Sequence, residues 1–556
     1  MLVIEPTKGR YLTNWSDINW TGVERIVKRL QGRIFRAARR GDHAKVKNLQ
    51  KLLARSASAK LLAIRKACQQ NRGKQTPGVD GVVCDTPEAR FALFEQGLSF
   101  NGYRPQPVRR IFIPKNSGKG KRPLGIPTTK DRVMQTIVRF ALEPEWESRF
   151  EANSYGFRPG RCAMDAICAL HAALRRKGSS QWILDADINS CFDKIDQEML
   201  LKKLPVFTQV IRRWLKAGTV IFDKWEPTES GTPQGSPISP LLMNVALDGM
   251  ERLFGCENSR GNRVQASAKS GLDKGITIVR YADDFVATAP TKERIETYLL
   301  PKLKTFLEAR GLRLNTEKTR IVHINDRFDF LGFTFVRQGG RLLTKPSKKA
   351  ASIHLKRLKT HLSHNKQTPA ARVVQQLNPV IRGWANYYRH GASKAVFARV
   401  AYSMFAMVWR WARRRHPTKS ARWVKQRYFR YEDWAFHEKG AVLLRHYKIQ
   451  VSRFIKVTGK ASPMNPDEAE HWKKRRKRGR EQVTYREVVR HLHRRQDYCC
   501  ALCGIAFEEE DPIEKHHMRA RSQGGEDRMD NLVLVHRWGH KAYYVRRSKK
   551  YKAARA

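Results

Sequence analysis

Acidic residues are the scarce component of this chain. Asp and Glu number 51 against 109 Lys and Arg, leaving a formal charge of +58 at pH 7 over 556 residues. A chain this basic repels itself when free, and the usual resolution is a polyanionic partner whose counterions are released on binding. Cysteine is also sparse. Of nine Cys, six stand singly, which argues against a disulfide framework; only Cys499, Cys500 and Cys503 cluster. No apolar run is long enough to span a bilayer, and the first residues, Glu5 among them, lack the apolar segment of a signal peptide. No internal repeat is visible. The expectation is a cytoplasmic protein in a reducing compartment, with no membrane contact and with nucleic acid as its partner.

What the chain does contain is a core. Hydrophobic residues make up 41%, with 13 Trp and 24 Phe, unlike the short, Trp-poor packing proteins of ribosomes and chromatin. The length suggests roughly two to four domains. Residues 21 to about 70 read as basic helix, with Leu and Ile at helical spacing. Thr76-Pro-Gly-Val-Asp-Gly81 interrupts that pattern. Residues 100–130 alternate basic and apolar positions around Pro and Gly, the pattern of an extended hairpin, and 131–143 carry Val133, Ile137 and Phe140 on one helical stripe. Short strands alternate with helices between 180 and 335. Basic helix rich in Trp and Tyr returns over 350–435, and Lys473-Lys-Arg-Arg-Lys-Arg478 reads as a linker or phosphate-contacting arm.

Ile183-Leu-Asp-Ala-Asp187 reads as a strand ending on an acid. Ile276-Thr-Ile-Val-Arg-Tyr281, then Ala282, Asp283 and Asp284, then Phe285-Val-Ala-Thr288, reads as a β-hairpin with adjacent acids at its tip. Alone, such a pair is more often a hydrated turn. Asp187, the basic hairpin and the charge balance reverse those odds. Neighbouring carboxylates repel unless cations join them, and a third acid on an adjacent strand completes a two-metal site, in which one Mg²⁺ would activate a primer hydroxyl and the other hold a triphosphate.

Tyr281-Ala-Asp-Asp284 resembles the signature of reverse transcriptases in its group II intron form. Other motifs fall in the expected order: Gly78-Val-Asp-Gly81, Ser154-Tyr-Gly-Phe-Arg-Pro-Gly160, Ser230-Gly-Thr-Pro-Gln-Gly-Ser-Pro-Ile-Ser-Pro240, Gly311-Leu-Arg-Leu-Asn315 with Lys318, and Phe330-Leu-Gly-Phe333. The resemblance is dense over roughly residues 70–335. It implies that Asp187 and Asp283, with Asp284 beside them, bind two Mg²⁺. It makes Phe192 the ring that excludes a 2′-OH, so that dNTPs are selected. Lys115 and Arg122 become the pair that clamps the triphosphate, although a stretch with so many cations is also consistent with a solvated basic face. Gln234 is assigned to the template side. Leu377-Asn-Pro-Val-Ile-Arg-Gly-Trp-Ala-Asn-Tyr-Tyr388 resembles the maturase, or X, segment that doubles as thumb. Of the residues around it, Trp409, Trp411, Trp423 and Trp434 are expected mainly in the thumb core. Arg410, Arg413, Arg414 and Arg415 are the candidates for RNA contact.

The tail from about 482 carries Cys500-Ala-Leu-Cys503, half of a zinc knuckle. Glu514-Lys-His-His517, Gly524-Gly525, Asn531-Leu532, His536 and His540 follow. The whole resembles an HNH nuclease of ββα-metal type. By that resemblance His517 is the general base, His516 and His540 hold one divalent cation, and Asn531 positions the loop. The second half of the knuckle, normally two Cys, reads His536-Arg-Trp-Gly539. Gly539 cannot ligate, so the Zn²⁺ ligand set is incomplete, with His536 as a third donor and Cys499 as a conceivable fourth. A knuckle used only for nucleic-acid binding remains the alternative.

The expected architecture is α+β: a right-hand polymerase with fingers and palm, an α-helical thumb/X domain and a small ββα-metal C-terminal module. The expected divisions are an N-terminal basic helical extension (1–69), fingers and palm (70–340), thumb/X (341–430), a basic DNA-binding segment and linker (431–481) and the HNH-like domain (482–556). The expected partners are group II intron RNA, target DNA and dNTPs, with nucleoid association when DNA is bound. A splicing chaperone without catalysis has no need of Asp187, Asp283 and Asp284. A retron-type reverse transcriptase does not account for the X-like segment and the Cys/His tail. A stand-alone homing nuclease leaves the palm motifs unexplained.

Overall fold

The first helix shows how the basic composition is reconciled with a core. Asn19 caps it, accepting from Gly22 N at 3.1 Å. Along Trp20–Arg39, Val23, Val27, Leu30 and Ile34 form the buried stripe while Arg25, Lys28, Arg29, Arg33 and Arg36 face outward. His43–Arg55 and Ala57–Arg65 pack beside it. All three lie against Thr129–Arg149, a helix buried over most of its length. These N-terminal helices and the palm share one continuous hydrophobic core. The computed structural model describes residues 14–114, 120–176, 178–257, 264–265, 268–430, 434–482, 487–507 and 511–540.

Sixteen strands form five sheets among the described residues. The fingers hairpin is β1 (Val108–Pro114) and β2 (Lys121–Ile126). The first palm strand is β3 (Trp182–Asp187). A short hairpin, β4 (Thr219–Ile221) and β5 (Lys224–Glu226), extends the fingers sheet to the order β2-β1-β4-β5. The palm sheet is completed by β6 (Thr277–Tyr281), β7 (Asp284–Ala289) and β8 (Arg320–His323), in the order β6-β7-β3-β8. Next come β9 (Phe328–Phe330), β10 (Phe333–Gln338) and β11 (Arg341–Pro346), an antiparallel sheet leading into the thumb. The thumb packs Lys348–His364, Ala370–Tyr388 and Lys394–Arg415 around Leu358, Val373, Leu377, Met404 and Trp411. It is followed by β12 (Phe429–Arg430), β13 (Ala435–Glu438) and β14 (Ala441–Val442). In the tail, β15 (Ile513–His517) pairs with β16 (Leu532–His536), and a helical turn begins at Arg537.

The helix expected over 131–143 runs from Thr129 to Arg149, because Thr128 caps it by accepting from Asp131 N at 3.2 Å. The hairpin expected over 100–130 is confined to 108–126.

Two contacts tie the thumb to the palm. The β9–β10 turn, with Leu331 and Gly332 at positive φ, seats against the thumb motif: Tyr387 Oη donates to Leu331 O at 3.0 Å, and a Cβ on Gly332 would lie 2.6 Å from Tyr388 Oη. After the thumb, residues 446–472 return across the palm as a strap. Buried Asp165 accepts from Val457 N at 2.7 Å and pairs with Arg475 at 2.9 Å, and Arg161 donates to Gly459 O at 2.9 Å. The basic run 473–478 therefore lies in a helix, Ala469–Gln482, anchored through Arg475 rather than forming a free arm. No helix among the described residues is long and apolar enough to cross a membrane.

Candidate active sites

The three palm acids meet through strand register. β3 pairs antiparallel with β7 so that Asp187 stands opposite Asp284, and the β6–β7 turn places Ala282 and Asp283 at the tip. Asp187 and Asp283 are half-buried while Asp284 is more open to solvent at the start of β7, and their crowding at one end of the sheet appears in their proton affinities. Burial first, then repulsion from Asp283 and Asp187, pushes Asp284 up to about 7. Burial likewise raises Asp283, and the positive charges of Arg122 and Lys318 partly offset the rise. Asp187 is held by Lys318, whose Nζ donates to Oδ2 at 2.6 Å, while Asn315 N donates to the Asp187 carbonyl at 2.8 Å.

The hairpin tip is supported from below by the Ser154-Tyr-Gly motif. Tyr155 N donates to Arg280 O at 2.9 Å, and Arg280 N donates to Asn153 O at 3.0 Å. The Arg280 side chain is fully buried. Its Nη1 donates to Asn244 Oδ1 and to Ala282 O, both at 3.1 Å, and Asn244 Nδ2 donates to Gly156 O at 2.8 Å. Ala282 has φ +60, a left-handed conformation that costs a non-glycine residue roughly 1–2 kcal/mol. The Arg280 contact to its carbonyl helps to hold it there.

Of the nucleotide-site candidates, Arg122 lies on β2, exposed but near enough for its charge to lower the proton affinity of Asp283. Phe192 follows left-handed Ser190, with its carbonyl accepting from Thr232 N at 2.6 Å and its ring edge-on to Phe157. Gln234 is set beside the fingers sheet by Gly125 N, which donates to Gln234 O at 2.6 Å. Lys115 lies outside the described residues. In the thumb, Arg410, Arg413 and Arg414 are exposed, whereas Arg415 donates to Thr368 O at 2.9 Å and ties the end of its helix to the 365–369 loop. Trp411 is buried, Trp409 and Trp423 are partly buried against the thumb core, and Trp434 is the exposed member.

In the tail, β15 and β16 bring the His residues together. His516 Nδ1 and His540 Nε2 are 3.0 Å apart, and Glu514 Oε2 meets His540 Nδ1 at 2.8 Å. His517 Nε2 meets Asp527 Oδ1 at 2.5 Å. Asn531 fastens the intervening loop, accepting from Arg519 N at 2.7 Å and donating to Glu526 O at 2.9 Å. A Cβ on Gly525 would lie 2.0 Å from Arg519 O, so the loop requires glycine there. Cys500, Cys503 and His536 are the one group of three His, Cys, Asp or Glu residues among the described ones whose ligand atoms all lie within 4.8 Å. The Cys503 thiol and the backbone and side chain of His536 hydrogen-bond Cys500 and lower its thiol to about 4, and Asp511 meets His536 Nε2 at 3.1 Å. Two soft thiols and an imidazole backed by a carboxylate suit Zn²⁺. The Cys499 thiol is directed to Asp497 O at 3.4 Å and is not part of this group.

Sequence reading missed Arg280, Asn244, Glu514 and Asp527. Arg280 lies in the strand run 276–281, Glu514 in the run 514–517 and Asp527 just after Gly524-Gly525, but only the fold shows what each touches.

Family models match four stretches of the chain: N-terminal domain of reverse transcriptase (15–96), reverse transcriptase, RNA-dependent DNA polymerase (113–335), group II intron, maturase-specific domain (352–429) and HNH endonuclease (500–545). The chain is 34% identical over 301 residues to protein YkfC of Escherichia coli (strain K12), covering 49% of this chain and 78% of that one. It is 30% identical over 327 residues to the group II intron-encoded protein LtrA of Lactococcus lactis subsp. cremoris, covering 49% of this chain and 54% of LtrA. It is 28% identical over 403 residues to maturase-like protein 1 of Euglena gracilis, covering 70% of this chain and 80% of that protein.

The support beneath the acids is testable. A Cβ on Gly156 would lie 2.3 Å from Ala282 N, so Gly156→Ala must displace the tip that carries Asp283. Displacing a reacting group by about 1 Å costs on the order of a hundredfold in rate. RNA-templated primer extension by this variant is expected to fall on that scale, with circular dichroism unchanged. A wild-type rate would show that this contact does not set the acids.

Proposed function

We propose, for a chain that belongs to the group II intron reverse transcriptase/maturase family and carries a C-terminal HNH module, that it copies its intron RNA into DNA at the palm, assists splicing of that RNA through the thumb, and nicks target DNA with its tail. The observation that carries the polymerase reading is the register placing Asp187 opposite Asp284 with Asp283 at the adjoining turn. These acids fit Mg²⁺: they stand at one end of the palm sheet and repel one another, and Lys318 is the cation that meets Asp187 directly. When bound, two Mg²⁺ would supply Lewis acidity for phosphoryl transfer at Asp187, Asp283 and Asp284. The protein's own part is positioning. Arg122 pairs the incoming triphosphate, with Lys115 as its partner in the clamp. The Phe192 ring closes the space a 2′-OH would need, and Gln234 borders the template.

RNA binding rests on different residues. Arg410, Arg413 and Arg414 present an exposed cationic face on the thumb helix. They meet phosphates of structured RNA without involving the acids. In the tail His517, oriented by Asp527, takes the proton of the attacking water, and His516 with His540 would hold a divalent ion at the scissile phosphate. The sequence of events is splicing, RNA insertion into DNA, second-strand nicking and target-primed copying, in the cytoplasm at the nucleoid.

Asp187→Asn or Asp283→Asn is expected to abolish primer extension with Mg²⁺ present, whereas Asp283→Asn retains near wild-type stimulation of intron splicing, weakening steeply with salt. Parallel loss of RNA binding in Asp283→Asn would mean that one site serves both functions. Phe192→Val is expected to incorporate ribonucleotides; unchanged exclusion of rNTPs, read by gel extension, removes the gate assignment. His517→Ala is expected to lose metal-dependent nicking of one DNA strand while primer extension persists. Cleavage surviving in that variant would refute His517 as base.

A further inference from the structure

The knuckle of the HNH module is one ligand short, yet the chain on either side of the gap is held from outside the module. Cys500, Cys503 and His536 converge, while Gly539 supplies no donor and an ideal Cβ there meets nothing within 4 Å. The neighbouring Trp538 is not free. The Arg65 guanidinium, from the N-terminal helices, lies 3.9 Å from the Trp538 ring centroid and 4.6 Å from that of Trp20. Gln69 Nε2 donates to Trp538 O at 3.2 Å, and Thr21 Oγ1 donates to Cys503 O at 2.9 Å.

Arg65 is an unusual residue to find there. It is completely buried, and two of its three guanidinium nitrogens, Nε and Nη2, make no hydrogen bond. Its remaining nitrogen reaches Glu24 at 3.4 Å. A buried cation with so few acceptors needs other compensation. Here it comes from two aromatic faces and from the Glu24 carboxylate.

We infer that Arg65, with Trp20, Thr21 and Gln69, is a built-in dock that substitutes for the missing fourth knuckle ligand and holds the HNH module to the N-terminal helices. The dock grips the knuckle end of the module. The loop that carries Asp527 and Asn531, against which His517 is set, makes none of these docking contacts. Because the N-terminal helices share the palm's core, the docked nuclease keeps a fixed distance from the polymerase site. The knuckle metal and the dock are then two staples on one small module, and either alone suffices to hold it.

The test compares the full-length protein, Arg65→Ala and Trp538→Ala under limited proteolysis, each with zinc and after chelation, with the metal content measured. Wild type is expected to keep its tail protected after chelation, and both variants to keep theirs while zinc is bound. Each variant after chelation is expected to lose the tail faster by on the order of tenfold, the scale of a desolvated cation–π contact. Primer extension in both variants shows that the palm and N-terminal helices are folded. Trp538→Ala, made on the tail side, covers the case in which Arg65→Ala disturbs the helices. Release of the wild-type tail by chelation alone would overturn the inference, and so would full protection of both chelated variants.

Discussion

Three carboxylates of like charge have to be held within reach of one another before any cation arrives. Two unit charges at about 4 Å repel by about 4 kcal/mol at an effective dielectric near 20. Nothing in the acids themselves resists that repulsion. The ladder does: Asp187 and Asp284 cannot separate without breaking the β3–β7 register, which runs unbroken from Trp182 to Asp187. The turn between β6 and β7 is then fixed from beneath by Arg280, whose buried guanidinium binds Ala282 O and Asn244. The motifs that the chain displays far apart in sequence are thus one device. Residues 153–156 close against residue 280, and Asn244 joins both. Lys318 neutralises part of the surplus charge from the strand's end.

The parts legible in the sequence were those with a local pattern. The hairpin with acids at its tip, the strand ending on Asp187 and the basic helices were readable from β-branched runs, alternation and helical spacing. Chemistry carried by fixed motifs was readable too, because residue type and order restrict it. The unread parts depend on approach in space. Gly156 carries no mark showing that it lies under Ala282, and Gly332 none showing that a tyrosine oxygen crosses it. Arg65 reads as one more cation on a basic helix, although it is completely buried. The run 473–478 reads as a phosphate-contacting arm, but the helix containing it is tied down by Asp165, a residue more than three hundred positions earlier. Composition could not separate Arg415, which ties its helix to the 365–369 loop, from its exposed neighbours Arg413 and Arg414.

The scarcity of acid takes on a physical meaning beside the proposed nucleic-acid partners. Many of the carboxylates are engaged inside. Glu147 pairs with Arg158 at 2.8 Å with both side chains buried. Asp165 anchors the strap through Arg475, Glu257 receives both Arg252 and Lys460, and Glu438 holds Arg427. Removing one partner of the Glu147–Arg158 pair, buried on both sides, costs about 3–5 kcal/mol, because the other charge is left without compensation. These acids therefore act as internal joints: Asp165 and Glu257 link strap to palm across distant parts of the chain, and Glu438 joins a helix to the neighbouring sheet. Each such pair uses a cation as well as an acid, so the formal excess of +58 is left for the outside. The surface excess on the first helix, the fingers hairpin and the thumb is what a polyanion can neutralise. The same allocation of charge thus assembles the protein internally and leaves its outside dependent on nucleic acid.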